Sequence, residues 1–268
     1  MRESIAKKIA SLPPLPKTLH EFDAAYNDEN VTIEKIAAIL EQDPMIVANV
    51  LKRVNSPFYG LAKKIDSLQH AVSILGLSEV RAIVLENSIK KLLNIDVEPY
   101  GVNAEQFARI AQLQSFLIQK WYKSIDPAKA GFLSLAALLQ ESGKILIADE
   151  VIRDDLTLQF RSDLEMSNDV AAVERSFVGV SAAEVTGKIF EHWGMEETLT
   201  RAITYSDAYE AAPEEVRELS SALHIVKRAV AINKPLSETS KTIAKNIAQK
   251  EGYDVAKLEE ALQAIESL

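Results

Sequence analysis

Apolar residues recur at spacings of three and four along almost the whole chain, and no segment of convincing apolar–polar alternation breaks that rhythm. This is the period of an α-helix seen from its buried face, whereas a strand would repeat every two residues. A chain patterned this way folds as helices packed on helices. In TIEKIAAILEQ, Ile33, Ile36, Ala37 and Leu40 share one face and Thr32 precedes them as an N-cap. Asp43-Pro44 opens the next helix. Asp caps it, and Pro occupies the first turn, where a missing N–H costs nothing. That helix carries Ile46, Val50 and Val54 on a stripe and is interrupted at Ser56-Pro57-Phe58-Tyr59-Gly60. A further helix from about Ser67 to Leu75 ends at Gly76, a natural C′ residue. Ser78 is expected to cap the amphipathic run SEVRAIVLENSIKKLL, whose last turn carries Lys90 and Lys91 at the negative end of the helix dipole.

Residues 94–103 (NIDVEPYGVN) break the pattern with Pro99 and Gly101, and the charge balance changes there. Residues 1–97 hold 12 basic and 12 acidic side chains, so the whole net charge of −9 falls on the remainder. Two packed helical subdomains are therefore expected, 1–96 and 97–268. In the second, EQFARIAQLQSFLIQKWYKS reads as one long helix, and Pro127 starts another that continues to Ala148 with Gly143 inside it. Helical patterns follow at about 154–165, 169–178, 181–193, 196–209, 213–233, 238–250 and 254–267, with no hairpin signal. The fold class expected is all-α.

Composition removes several classes of function. The chain has 268 residues, 47% of them hydrophobic, and no cysteine. Disulfides, thiolate metal sites and thiol catalysis are excluded. No apolar run is read as reaching the ~18–20 residues that span a bilayer, and the N-terminus lacks the apolar core of a secretory signal. A cytoplasmic protein without a membrane partner is expected. The acidic balance argues against nucleic acid, whose affinity leans on phosphate neutralisation. The four histidines, His20, His70, His192 and His224, form no metal-binding spacing, and neither a Gly-rich phosphate cradle nor a GxSxG elbow occurs. Lys52 and Arg53, Lys63 and Lys64, and Lys90 and Lys91 are three small basic clusters in the neutral half, with Phe58 and Tyr59 between the first two. Together they would suit a nucleotide held by stacking and phosphate pairing. As solvated helix ends with two aromatics pinning a turn, they need no ligand at all.

Several motifs in a fixed order carry a family resemblance. Leu12-Pro13-Pro14-Leu15-Pro16, the stretch from Asp43-Pro44 to Asn55-Ser56-Pro57-Phe58-Tyr59-Gly60, Ala71-Val72-Ser73-Ile74-Leu75-Gly76 and the helix beginning at Ser78 resemble the HDOD domain. That domain is a bacterial signalling module related to HD-type phosphohydrolases. Over the second half the chain is similar to a degenerate HD-type core. Gln140-Glu141 stands where the resemblance places His-Asp, and Gln114 stands where it places a His before Ser115. Ala182 stands at a third His, and Ser206 and Asp207 at a His pair.

The resemblance implies a non-catalytic regulatory module that binds a signalling protein partner and takes no cofactor or metal. Gln114 and Gln140 would pair with each other as neutral substitutes for a ligand set. Lys52, Arg53, Asn55, Phe58, Tyr59, Lys63 and Lys64 form the candidate partner or ligand surface. The alternatives are a sensor of a nucleotide or cyclic-dinucleotide second messenger and a residual metal-dependent phosphohydrolase.

Overall fold

A computed structural model describes residues 1–93 and 96–266; the side chains of Lys90, Lys91 and Leu92 lie outside the described set, and with them one of the three basic clusters. Among the described residues the chain is all-α apart from one two-stranded hairpin. It divides into a unit of residues 13–93 and a unit that joins residues 1–12 to the described chain beyond 93. The first helix, α1 (Glu3–Ala10), therefore departs from the expected 1–96 subdomain. It buries Ile5 and Ile9 against helices of the larger unit, and Arg2 donates to the carbonyl of Phe177 at 2.6 Å.

The smaller unit contains α2 (Lys17–Tyr26), α3 (Ile33–Leu40), α4 (Pro44–Val54), α5 (Leu68–Leu75) and α6 (Leu77–Leu92). Its helix starts follow the local chemistry. Thr32 Oγ1 accepts from Lys35 N, and Asp43 Oδ1 accepts from Met45 N with Pro44 at the first position. The Ile46, Val50 and Val54 stripe is buried. Ser78 does not cap α6. Gly76, at φ +79°, both ends α5 and opens α6, so the chain bends by 111° with no intervening loop. Ser78 Oγ lies instead 3.2 Å from the Tyr26 hydroxyl. Packed on α2, α4 and α5, α6 is buried around most of its circumference. It is accordingly less amphipathic than its sequence reads, and Asn87 and Ser88 bond back to the carbonyls of Ile83 and Val84.

The larger unit contains α7 (Ala104–Lys123), α8 (Pro127–Leu139), α9 (Gly143–Arg153), α10 (Thr157–Met166), α11 (Val170–Val178), α12 (Ala182–His192), α13 (Glu197–Thr204) and α14 (Glu214–Ala229). The hairpin β1 (Val230–Ala231) and β2 (Lys234–Pro235) follows, then α15 (Glu238–Lys250) and α16 (Val255–Glu266). Three departures from the sequence reading matter for the site. The helix expected from Pro127 to Ala148 breaks at residues 140–142, because Thr186 of α12 inserts there. Its Oγ1 donates to the Gln140 carbonyl at 3.0 Å and accepts from Gly143 N at 2.8 Å. The helix expected over 196–209 stops at Thr204, which turns Ser206 and Asp207 inward. The helix expected over 213–233 stops at Ala229, and the chain turns at Ile232-Asn233. Asn233 Nδ2 holds that hairpin to the carbonyls of Leu164 and Ser167.

The segment Pro127–Arg153 is apolar enough, by length and composition, to cross a membrane, contrary to the sequence reading. Its most apolar window is 89% buried inside the protein, which makes it a core element here. Gly143 permits its close approach to α12. A Cβ at this residue would collide with the Ala182 carbonyl and lie 2.8 Å from Thr186 N.

Candidate functional site

The positions singled out by the resemblance converge in the larger unit. Gln114 projects from α7, Gln140 and Glu141 from the break between α8 and α9, and Asp207 from the turn after α13; Gln114, Gln140 and Glu141 are at most 1% exposed. Gln140 Nε2 donates to Gln114 Oε1 at 2.9 Å, so the two amides pair as expected. Gln114 Nε2 in turn donates to Glu141 Oε1 at 2.9 Å and to the Val230 carbonyl at 3.1 Å, tying the hairpin to the site. Ala182 contributes its main chain only: its N–H donates to Glu174 Oε2 at 2.6 Å. Ser206 is buried, and its carbonyl accepts from His224 Nδ1 at 2.7 Å, which fixes the proton on that nitrogen.

Three groups central to this site were not singled out from the sequence: Lys144, Lys227 and Glu174. Lys144, one helical turn after Glu141 and 1% exposed, places its Nζ 3.2 Å from Glu141 Oε2 and hydrogen-bonds Glu174. The ring of Tyr100 covers the same ammonium at 4.9 Å, and the Tyr100 hydroxyl donates to Glu174 Oε1 at 3.0 Å. Lys227, in the last turn of α14, lies 2.7 Å from Asp207 Oδ1 and 3.8 Å from Glu141 Oε2. Asp207 Oδ2 also accepts from Ala183 N at 3.2 Å. Two ammonium groups thus sit among three carboxylates, and the N-terminus of α12 donates to two of those carboxylates.

The electrostatics follow. Burial alone would raise the pKa values of Glu141 and Asp207, but the charges of Lys227 and Lys144 hold both below the ordinary carboxylate range. Burial alone would lower Lys144, but Glu141, Glu174 and Asp207 hold it above the ordinary lysine range. Burial lowers the His224 pKa and so favours the neutral ring, while Asp207 pulls the other way. The cavity between Glu141, Lys144, Asp207, His224 and Lys227 measures about 30 Å³. That is room for one or two waters and too little for a phosphate ester.

The donor set does not fit a catalytic divalent ion. Among the described residues no three histidine, aspartate or glutamate side chains are grouped to hold a metal. The positions where the resemblance places imidazoles carry two neutral amides, a methyl group, a hydroxyl and, at Asp207, one carboxylate. The carboxylates that remain are already engaged by ammonium groups, which a second cation would have to displace against like-charge repulsion.

The candidate surface of the smaller unit divides. Arg53 is not available to a ligand: its side chain is 5% exposed and pairs with Glu79 at 2.9 Å and Glu86 at 2.7 Å. Asn55 is a clamp, its Nδ2 donating to the carbonyls of Leu51 and Ile65 and its Oδ1 accepting from Ile65 N. It closes the loop 56–64. Phe58 and Tyr59 are half-buried and meet edge to face at 5.0 Å, and burial raises the Tyr59 pKa. Lys52, Lys63 and Lys64 are exposed.

A family model described as "HDOD domain" matches residues 12–209, about three quarters of the chain. A curated protein of Treponema pallidum, described as "Uncharacterized protein", is 25% identical over 226 residues, covering 81% of this chain and 42% of its own length. The chain therefore spans about two fifths of that relative. The crystal structure of a virulence factor from Campylobacter jejuni matches at 26% identity and a TM-score of 0.58, covering 99% of this chain and 95% of that one. The crystal structure of a "Putative phosphohydrolase" from Shewanella amazonensis matches at 22% identity and a TM-score of 0.73, covering 98% of this chain and 96% of that one, and shares the fold. With the family model spanning about three quarters of the chain over an all-helical body, this protein belongs to the HDOD domain family.

Proposed function

We propose that the chain is a non-catalytic regulatory module that works by binding a signalling protein. The observation that carries this reading is the pair of buried ammonium groups, Lys144 and Lys227, held among Glu141, Glu174 and Asp207 beside the Gln114–Gln140 amide pair. A phosphohydrolase of this architecture needs metal ions that activate water. Here lysines supply the positive charge, and the space beside them admits water alone.

Partner recognition is assigned to the loop 56–64 and its exposed Lys63 and Lys64, with Phe58 as the aromatic anchor and Asn55 holding the loop in shape. A second-messenger site in the same place has lost its best phosphate ligand, since Arg53 is engaged by Glu79 and Glu86.

The test has two arms. Hydrolysis of bis(p-nitrophenyl) phosphate with Mn²⁺ or Mg²⁺ is expected to match that of the Glu141→Gln and Asp207→Asn variants. Turnover that both substitutions abolish would refute the non-catalytic reading. Co-purification of one partner from the native cell is expected to fall in a Phe58→Ala, Lys63→Glu, Lys64→Glu variant. Unchanged recovery would remove this surface.

A further inference from the structure

The larger unit carries a second, roomier cleft than the one inside the ion network. It lies between the turn at residues 98–101, α7, α10 and the hairpin, and measures about 360 Å³, within the range of small-molecule sites. Its floor is apolar: Ile110, Leu113 and Ile232, with Tyr100. Arg109 and Arg161 also line it. Arg109 is exposed and makes no ion pair or hydrogen bond among the described residues. Arg161 is positioned by its own Nη2, which donates to the Glu98 carbonyl at 2.6 Å and lies 3.3 Å from Glu98 Oε1, while its Nε is buried without a hydrogen-bond partner among the described residues. A buried N–H of a charged group without an acceptor is costly, and an anionic ligand oxygen would supply one. The only acidic side chain among the lining residues described is Glu165.

We propose that this cleft binds a small amphipathic organic anion, its apolar body on Ile110, Leu113 and Ile232 and its carboxylate, phosphate or sulfonate toward Arg109 and Arg161. The site adjoins the ion network without belonging to it. Tyr100 lines the cleft and bonds Glu174 through its hydroxyl, and Ile232 lines both the cleft and the small cavity beside Lys227. An occupant therefore contacts two residues that also touch the charged core, a physical route by which binding stabilises the unit. The inference stands whether or not the ion network is catalytically silent.

The test titrates the full chain with 1-anilinonaphthalene-8-sulfonate, an aromatic sulfonate, and with its uncharged relative N-phenyl-1-naphthylamine. One saturable site for the sulfonate is expected, with the neutral dye bound more weakly. Arg109→Ala removes an exposed guanidinium, so the melting temperature is expected to hold while sulfonate affinity falls about fivefold, toward that of the neutral dye. Leu113→Asp, which puts a carboxylate on the floor, is expected to abolish sulfonate binding. Three results would each overturn the proposal: no saturable binding to the native chain, equal affinity for the two dyes, or sulfonate affinity indifferent to Arg109→Ala in a variant that melts normally.

Discussion

Replacing Lys144 with Met removes the charge and keeps most of the side-chain volume. Its ammonium lies 3.2 Å from Glu141, bonds Glu174 and sits against the face of Tyr100, all at positions almost closed to solvent. Without it Glu174 loses its cation, and Glu141 keeps only Lys227 at 3.8 Å. Breaking a buried pair from one side costs about 3–5 kcal/mol, because the surviving charge stays desolvated. For a unit of this size each kcal/mol shifts the melting point by about 2–4 °C, so a fall of roughly 6–20 °C is expected. Both tryptophans, Trp121 and Trp193, lie in the larger unit, so urea unfolding followed by their fluorescence reports on the right part of the chain. Adding Glu174→Gln to Lys144→Met neutralises the orphaned carboxylate and is expected to restore about 1–3 kcal/mol of coupling energy. A loss below about 1 kcal/mol for Lys144→Met, with no coupling to Glu174→Gln, would refute the claim that this ammonium balances the buried carboxylates.

Gly143→Ala drives a methyl group into the backbone of α12 and is expected to cost at least about 2 kcal/mol, read as a lower urea midpoint. A neutral outcome would mean that the α9–α12 approach is looser than described. Asn55→Ala leaves Ile65 N–H and two carbonyls without their side-chain partner, so about 1–3 kcal/mol of local stability is lost and the Ile65 amide exchanges faster with solvent; unchanged exchange would show that the clamp does not hold the loop. Asp207 and Glu141 have folded-state pKa values below their ordinary ones, so the stability they contribute is full above those ordinary values of 3.8 and 4.5 and drains as pH falls below them. The Asp207→Asn variant should show a shallower acid limb in a melting-temperature profile, and a limb as steep as the native one would place the acid sensitivity elsewhere.

Much of the architecture is legible in the sequence because its determinants are local. Asp43-Pro44 pairs a capping carboxylate with a proline suited to a first turn, Pro127 marks another helix start, and both helices begin there. The Gln114–Gln140 pair is also legible, since both amides stand where the resemblance places metal-binding imidazoles. The rest depends on contacts between residues distant in sequence. Lys227 meets Asp207 from another helix, and Glu174 reaches Lys144 from thirty residues away, so no spacing rule links them. The break at Gln140 is made by Thr186, whose hydroxyl arrives from α12, and nothing in the apolar period of α8 and α9 announces it. Arg53 reads as a free cation beside Lys52 because its partners, Glu79 and Glu86, lie on α6. The N-terminal helix reads with its sequence neighbours yet buries Ile5 and Ile9 in the larger unit, a choice set by tertiary packing.

Equilibrium dialysis of the purified chain against Mn²⁺, with the metal counted in each compartment, tests most directly whether lysines have replaced the cations of this site. The account predicts no stoichiometric Mn²⁺, and the same low uptake in Glu141→Gln and Asp207→Asn variants. One equivalent retained by the native chain and lost on either substitution would contradict it.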